Sequence, residues 1–190
     1  GIQREALAFK HAGNPPKLHR FAWERAKVLR AMAATKSLSL CPGTGGPVIG
    51  DEAKIEKMLT ETADFLDVIV KRTLAAMEKG SPPHTDIVTG SELPKSDSPW
   101  LQPVYDDTEF IVRNVIRFYG GWWNGRPSDL KPSPRAKLAQ EIASLSGGAK
   151  KLAERAEQLA NAGDFRLACH LADYALEAAP KDADVQAKVA

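Results

Sequence analysis

The chain has 190 residues, of which 43% are hydrophobic and 26% charged, with a formal net charge of +2. That is enough apolar material for a core, in one domain or in a domain with part of another, and too balanced a charge to demand a nucleic-acid or membrane-surface partner. The two cysteines, Cys41 and Cys169, stand too far apart to suggest a disulfide framework, and no apolar run is long enough to span a bilayer. No signal peptide is legible at the start. The compartment stays open, with the cytoplasm slightly favoured.

Residues 1–19 are polar and irregular, with a loop at Asn14-Pro15-Pro16. A helix is expected over 20–36, with Phe21, Val28, Leu29 and Met32 near one face. Its basic residues read as a solvated face. Ser37-Leu-Ser-Leu-Cys41 alternates as a short strand does, and Cys41 is expected to be buried at its end. Pro42-Gly-Thr-Gly-Gly-Pro47 must be a loop. It lacks the Gly-Lys-Ser/Thr of a phosphate-binding loop. Helix, strand and loop together look like the last unit of an α/β layer, a short α/β remnant over residues 1–50.

The composition then shifts. Asp51-Glu52 suit a helix N-terminus. Ile55, Met58, Leu59, Thr62, Leu66, Ile69, Val70 and Met77 mark one apolar stripe through residues 51–79, and Gly80 with Pro82-Pro83 ends it. A short helix is expected near Thr85–Gly90, followed by an extended connector carrying Trp100 and Tyr105.

Phe110-Ile-Val-Arg-Asn-Val-Ile-Arg-Phe118 reads as an apolar helix with Arg113 and Arg117 one turn apart. It runs into Tyr119-Gly-Gly-Trp-Trp-Asn-Gly-Arg-Pro127. The glycine pair stops the helix, Asn124-Gly125 turns the chain, and Pro127 keeps the helix from resuming. Trp122 and Trp123 admit two readings: a core plug at the helix end, or an aromatic platform beside the turn.

Ser133-Pro134 opens the next helix, defined by Leu138, Ile142 and Leu145 and closed by Gly147-Gly148. Another carries Leu152, Ala156, Leu159 and Ala160 and ends at Gly163. Asp164 caps a third, with Leu167, Ala168, Leu171, Ala172, Ala175 and Leu176 facing inward until Pro180. The Gly-Asp junction makes the last two an antiparallel hairpin resembling a tetratricopeptide hairpin. No second copy recurs at a fixed period, so no repeat array is expected.

The motifs in series resemble one family. Gly121-Trp-Trp-Asn-Gly-Arg-Pro127 with Leu130, then Gly147-Gly148-Ala149, Gly163-Asp164-Phe165-Arg166 and Ala178-Ala179-Pro180, are similar in order and spacing to the helical dimerisation region of alkylsulfatase-type enzymes of the metallo-β-lactamase superfamily. The resemblance covers roughly residues 20–190. It implies a mainly α fold: an all-α dimerisation domain over residues 51–190 with a tetratricopeptide-like hairpin, behind the C-terminal remnant of a metallo-β-lactamase-like domain. It also implies a full-length parent that is a binuclear zinc hydrolase acting on sulfate esters or related esters, with a homodimer as the assembly.

The metal-binding domain of that family ends in a strand and a Pro-(Gly/Ser)-His loop whose histidine binds zinc. Here Thr44 occupies the matching position. Its hydroxyl is a poor ligand, and the chain has no His-x-His-x-Asp-His motif. His11, His19, His84 and His170 lack ligand spacing to one another. His170 and Asp173 could share a helix face, and read as a surface pair. Cys169 should pack as a small apolar residue. So no catalytic or metal residue, and no cofactor, is expected in this chain. The helices at 51–79 and 107–121 are expected to supply much of the dimer interface. Trp100, Tyr105, Tyr119, Trp122 and Trp123 are the candidate cleft or interface aromatics. The alternative is a non-catalytic helical protein-binding scaffold derived from the same family.

Overall fold

The computed structural model describes residues 21–42, 46–79, 86–88, 94–102 and 107–190. These residues are mainly helical. The elements run α1 (Ala22–Ala34), β1 (Ser39–Leu40), β2 (Val48–Ile49), α2 (Glu52–Glu78), a 3-10 turn (Pro99–Leu101), α3 (Thr108–Gly120), a second 3-10 turn (Pro127–Leu130), α4 (Arg135–Ser146), α5 (Ala149–Asn161), α6 (Phe165–Ala178) and α7 (Ala183–Val189). Residues 86–88 are also helical. The chain divides into two compact units, one reaching to Asp129 and the other spanning Leu130–Ala190.

In the first unit, α2 is the spine. Asp51 caps it by accepting a hydrogen bond from the Lys54 amide at 2.9 Å. Its stripe from Ile55 to Val70 is buried, as expected, and Met77 is partly buried against the same core. Thr62 and Thr73 are buried on this face because their hydroxyls donate back to the Met58 and Ile69 carbonyls, at 2.6 and 2.8 Å. α1 packs on α2 and brings Ala22, Ala26, Leu29 and Ala33 to the core. Val28 and Met32, placed inward by the sequence reading, are instead exposed. Small alanines let two helix backbones approach closely, so the alanine face of α1 meets α2 and turns the larger residues outward. Arg30 then reaches across to Asp64 and Asp67, at 2.7 Å each. α3 closes the same core with Ile111, Val112, Val115 and Ile116. Helices on both sides of residue 50 therefore share one core.

The strand expected after α1 is there, as half of a two-stranded antiparallel hairpin with Ser39 opposite Ile49 and Leu40 opposite Val48. Cys41 at its end is exposed rather than buried, because so short a ribbon lacks the neighbours to cover it.

In the second unit, α5 and α6 form the expected antiparallel pair, with α4 and α7 packed against them. The turn between them is fixed by Gly163 at φ +85°, whose left-handed backbone lets the Asp164 amide donate to the Leu159 carbonyl at 2.9 Å. Asp164 then caps α6 through the Leu167 amide. The core holds Ala143, Leu152, Ala153, Ala175 and Val185. Leu138, Leu145 and Leu167, which the periodicity placed inward, are exposed, as is Cys169. As in the first unit, the alanine faces form the close contacts and the leucines flank them.

Candidate functional site

α3 and the loop after it carry the features that single out a site. Asp107 caps the helix, accepting from the Glu109 amide at 2.8 Å. The apolar face is consumed by the core, which leaves Arg113, Arg117, Phe118 and Tyr119 exposed. Gly121 stops the helix at φ +80°, ψ −157°, a region open almost only to glycine. The chain then folds into a self-bonded loop. The Asn124 side-chain carbonyl accepts from the Arg126 amide at 3.0 Å, the Trp123 indole donates to the Arg126 carbonyl at 3.1 Å, and the Asn124 side-chain amide donates to Asp129. These bonds hold the loop so that Trp122 is 71% exposed and Trp123 43%. Of the two readings of this pair, the platform is the one the structure adopts.

The platform extends further than the sequence indicated. Phe21 and Trp23, at the start of α1, meet Phe118 and Tyr119, at the end of α3. The Trp23 ring centroid lies 4.8 Å from that of Phe118 and 5.4 Å from that of Tyr119, and Phe21 meets Phe118 edge-on at 4.9 Å. Tilted and edge-on pairs of this kind are each worth about 0.5–1.5 kcal/mol beyond their buried area. Phe118 and Tyr119 remain more than half exposed. Nothing in the periodicity marks Trp23 as part of this group, because its neighbours lie some ninety residues away in sequence. Glu24 beside Lys27 raises the lysine above its ordinary pKa through a hydrogen bond of 2.8 Å, with Tyr119 adding a smaller effect.

Trp100 is placed elsewhere. It is buried in the core of the first unit with Leu101, and the Lys57 ammonium lies 5.8 Å from its ring centroid. Its indole N–H has no hydrogen-bond partner among the described residues. Tyr105 and Thr44 lie outside the described residues, as do His11, His19 and His84. His170 and Asp173 are both exposed on α6. Among the described residues no group of three or more His, Cys, Asp or Glu side chains could hold a metal ion. These residues do not fit a zinc centre.

A cavity of about 300 Å³ opens beside α3, lined by Val88, Arg113, Ile116, Arg117, Gly121 and Trp122. Arg113 and Arg117 are on its rim, one turn apart, and neither forms an ion pair among the described residues. Like charges at this spacing disfavour a helix by about 0.2–0.5 kcal/mol. Arg117, in the last turn, recovers part of that from the helix dipole, whereas Arg113 sits too far in. Also among the described residues, no helix is long and apolar enough to cross a membrane.

Comparison with known proteins agrees with this picture. A linear primary-alkylsulfatase from Pseudomonas sp. is 34% identical over 140 residues, 72% of this chain and 26% of the relative. An (R)-specific secondary-alkylsulfatase from Pseudomonas sp. is 28% identical over 143 residues, 74% of this chain and 21% of the relative. The chain thus spans about a quarter of the length of the curated relatives it matches. Among solved structures, a stereoselective inverting sec-alkylsulfatase from Pseudomonas sp. matches 91% of this chain and 28% of its own, with a TM-score of 0.80 at 22% identity, a likeness of fold. The family model described as alkyl sulfatase dimerisation matches residues 84–190, more than half of the sequence, and the chain belongs to that family.

Proposed function

We propose that this chain pairs two copies of an alkylsulfatase-like hydrolase, and that the aromatic platform is where they meet. The observation that carries the reading is the platform's exposure. Trp122, Trp123, Phe118 and Tyr119 form a large apolar surface on a structured loop and helix end, in a chain of the alkyl sulfatase dimerisation family. Exposed aromatic surface of this kind marks interaction sites, and aromatic residues supply most of the binding energy at interfaces. A second copy is the partner that fits the family's description. The apolar stripe of α2, expected to share in the interface, is spent on the chain's own core, so α3 and its loop carry the contact.

The parent's chemistry follows from resemblance. The relatives are named as alkylsulfatases, and the reading for the parent is hydrolysis of sulfate esters or related esters with zinc. Among the described residues no group of three or more His, Cys, Asp or Glu side chains could hold a metal ion, and the part read for this chain is assembly. Residues 1–50 are read as the end of the metallo-β-lactamase-like domain and residues 51–190 as the dimerisation domain. Tyr105 is the further candidate for a wall of a cleft shared with the catalytic domain.

The test is the mass of the chain in solution by light scattering across a concentration series. Twice 20.6 kDa is the expected value, and 20.6 kDa at high concentration overturns the proposal.

A further inference from the structure

We infer that Asn124-Gly125 is a latent deamidation site, and that the Asp129 carboxylate is what keeps it intact. Asparagine followed by glycine is the arrangement in which a backbone amide most readily attacks the preceding side chain, because glycine brings no Cβ to crowd its own nitrogen. Asn124 is the one asparagine of this chain followed by glycine; Asn14, Asn114 and Asn161 precede Pro, Val and Ala. The surroundings leave the nucleophile open. Gly125 is exposed at φ +88°, and an added Cβ would meet no atom within 4 Å.

The step balances with water alone. The Gly125 nitrogen gives up its proton to solvent and bonds to Cγ of Asn124. The bond from Cγ to Nδ2 breaks, and that nitrogen leaves with a proton from solvent as ammonia. Water then opens the resulting succinimide at either carbonyl, giving aspartate, or isoaspartate with the main chain routed through the side chain. Nothing is oxidised or reduced.

What opposes the step is the hold on the carboxamide. Cγ must turn onto the Gly125 nitrogen, and both ends of the group are tied. Its oxygen accepts from the Arg126 amide at 3.0 Å, and its nitrogen donates to Asp129. Asp129 is itself fixed, because its amide donates to the Arg126 carbonyl at 3.0 Å, beside the Trp123 indole at 3.1 Å. A hydrogen bond to an ionised acceptor is about twice as strong as a neutral one, so the carboxylate is the stronger of the two ties. Conversion destroys that tie from within. The new carboxylate has no N–H to donate and faces Asp129 with like charge, and isoaspartate also lengthens the main chain by one carbon. The loop that holds Trp122 and Trp123 outward is then released. None of this requires that the loop pair two copies.

The experiment incubates the whole chain in mildly alkaline buffer, folded and in guanidinium chloride. Peptide mass spectrometry follows Asn124, reading the mass gained when NH2 becomes OH and separating aspartate from isoaspartate by fragmentation. Asn124 in the folded parent is expected to convert about tenfold more slowly than in the denatured chain, the shift that one charge-assisted hydrogen bond gives. Folded Asp129→Ala should lose most of that protection, and Asp129→Asn, which keeps an acceptor without the charge, should fall between. Circular dichroism checks that both variants are folded, and the comparison of folded with denatured parent needs no variant. Isoaspartate should exceed aspartate in the product, the mark of a succinimide. In the converted chain and in Asn124→Asp alike, the Trp123 indole N–H resonance should move toward its position in the denatured chain. A folded parent that converts as fast as the denatured one, an Asp129→Ala chain as slow as the parent, a product without isoaspartate, or an unmoved Trp123 resonance overturns the proposal.

Discussion

The indole of Trp23 and the ring of Phe118 lie with centroids 4.8 Å apart and planes at 55°, joining the first turn of α1 to the last turn of α3. This contact ties together two segments separated by the whole of α2, and it holds the aromatic surface in one place.

Phe118 touches Phe21, Trp23 and Tyr119 at once. Phe118→Ala is expected to destabilise the first unit by about 1–2 kcal/mol, since the ring is half exposed and each lost pair is worth about 0.5–1.5 kcal/mol. Urea denaturation followed by tryptophan fluorescence measures this. An unchanged midpoint would mean that the rings do not brace the two helices.

Trp122 separates assembly from folding. It is 71% exposed and stacks on no ring among the described residues. Trp122→Ala should leave stability within about 0.5 kcal/mol, as surface substitutions do. The same change should weaken dimerisation about tenfold or more, as loss of an interface tryptophan does. Sedimentation equilibrium reads the second effect, and an unaltered dimer constant would move the interface away from this loop.

Gly121 holds φ +80°, ψ −157° with no atom within 4 Å of an added Cβ. The penalty for Gly121→Ala is therefore one of backbone strain alone, about 1–3 kcal/mol. A smaller loss on thermal or urea unfolding would show that the loop can relax into another conformation.

The buried faces can be checked by paired substitutions. Leu66 is 0% exposed on α2, whereas Leu145 is 82% exposed on α4. Leu66→Ala should lose about 2–5 kcal/mol and Leu145→Ala less than about 0.5 kcal/mol. Sequence periodicity alone assigns both leucines to a buried face, so equal losses would refute the packing described for α4.

Lys150 and Asp184 clasp the start of α5 to α7. The hydrogen bond from Lys150 holds the Asp184 carboxyl below its ordinary range and raises the lysine above its own. A lowered carboxyl stabilises above the unfolded-state pKa and loses that contribution as pH falls through the folded value. A raised lysine contributes below its unfolded-state pKa and loses it as pH rises through the folded one. The pair therefore acts between about pH 4 and pH 10. Both groups are exposed, so the effect is small and screened by salt. Protection factors of the α7 amides, which remove the intrinsic pH dependence of exchange, should be lower at pH 3 than at pH 7, and Lys150→Ala should shrink that difference.

Much of the second unit was legible in the chain. Gly163-Asp164 makes the hairpin because glycine accepts the left-handed backbone and aspartate accepts the next helix's amide, and both effects are local. The α2 stripe was legible for a related reason: in a helix this long, one apolar side repeated over many turns leaves a single face to bury. The faces of α1 and α4 were misread because each carries large apolar residues beside an alanine row. Side-chain size favours one face, and close helix approach favours the other. Which wins depends on the partner helix, which the periodicity does not contain.

The sequence by itself determined the helices, the caps at Asp51 and Asp164, the turn at Asn124-Gly125 and the family, because each rests on residues within a few positions of one another or on motifs in order. The expected Ser133 cap is not formed, since the helix begins at Arg135 behind Pro134. Tertiary structure alone decided that Trp100 goes into the core while Trp122 stays outside, and that Trp23 joins Phe118. It also decided that Arg30 finds two carboxylates while Arg113 and Arg117 find none among the described residues. Burial and charge pairing are settled by neighbours distant in the chain, and those neighbours are chosen by packing.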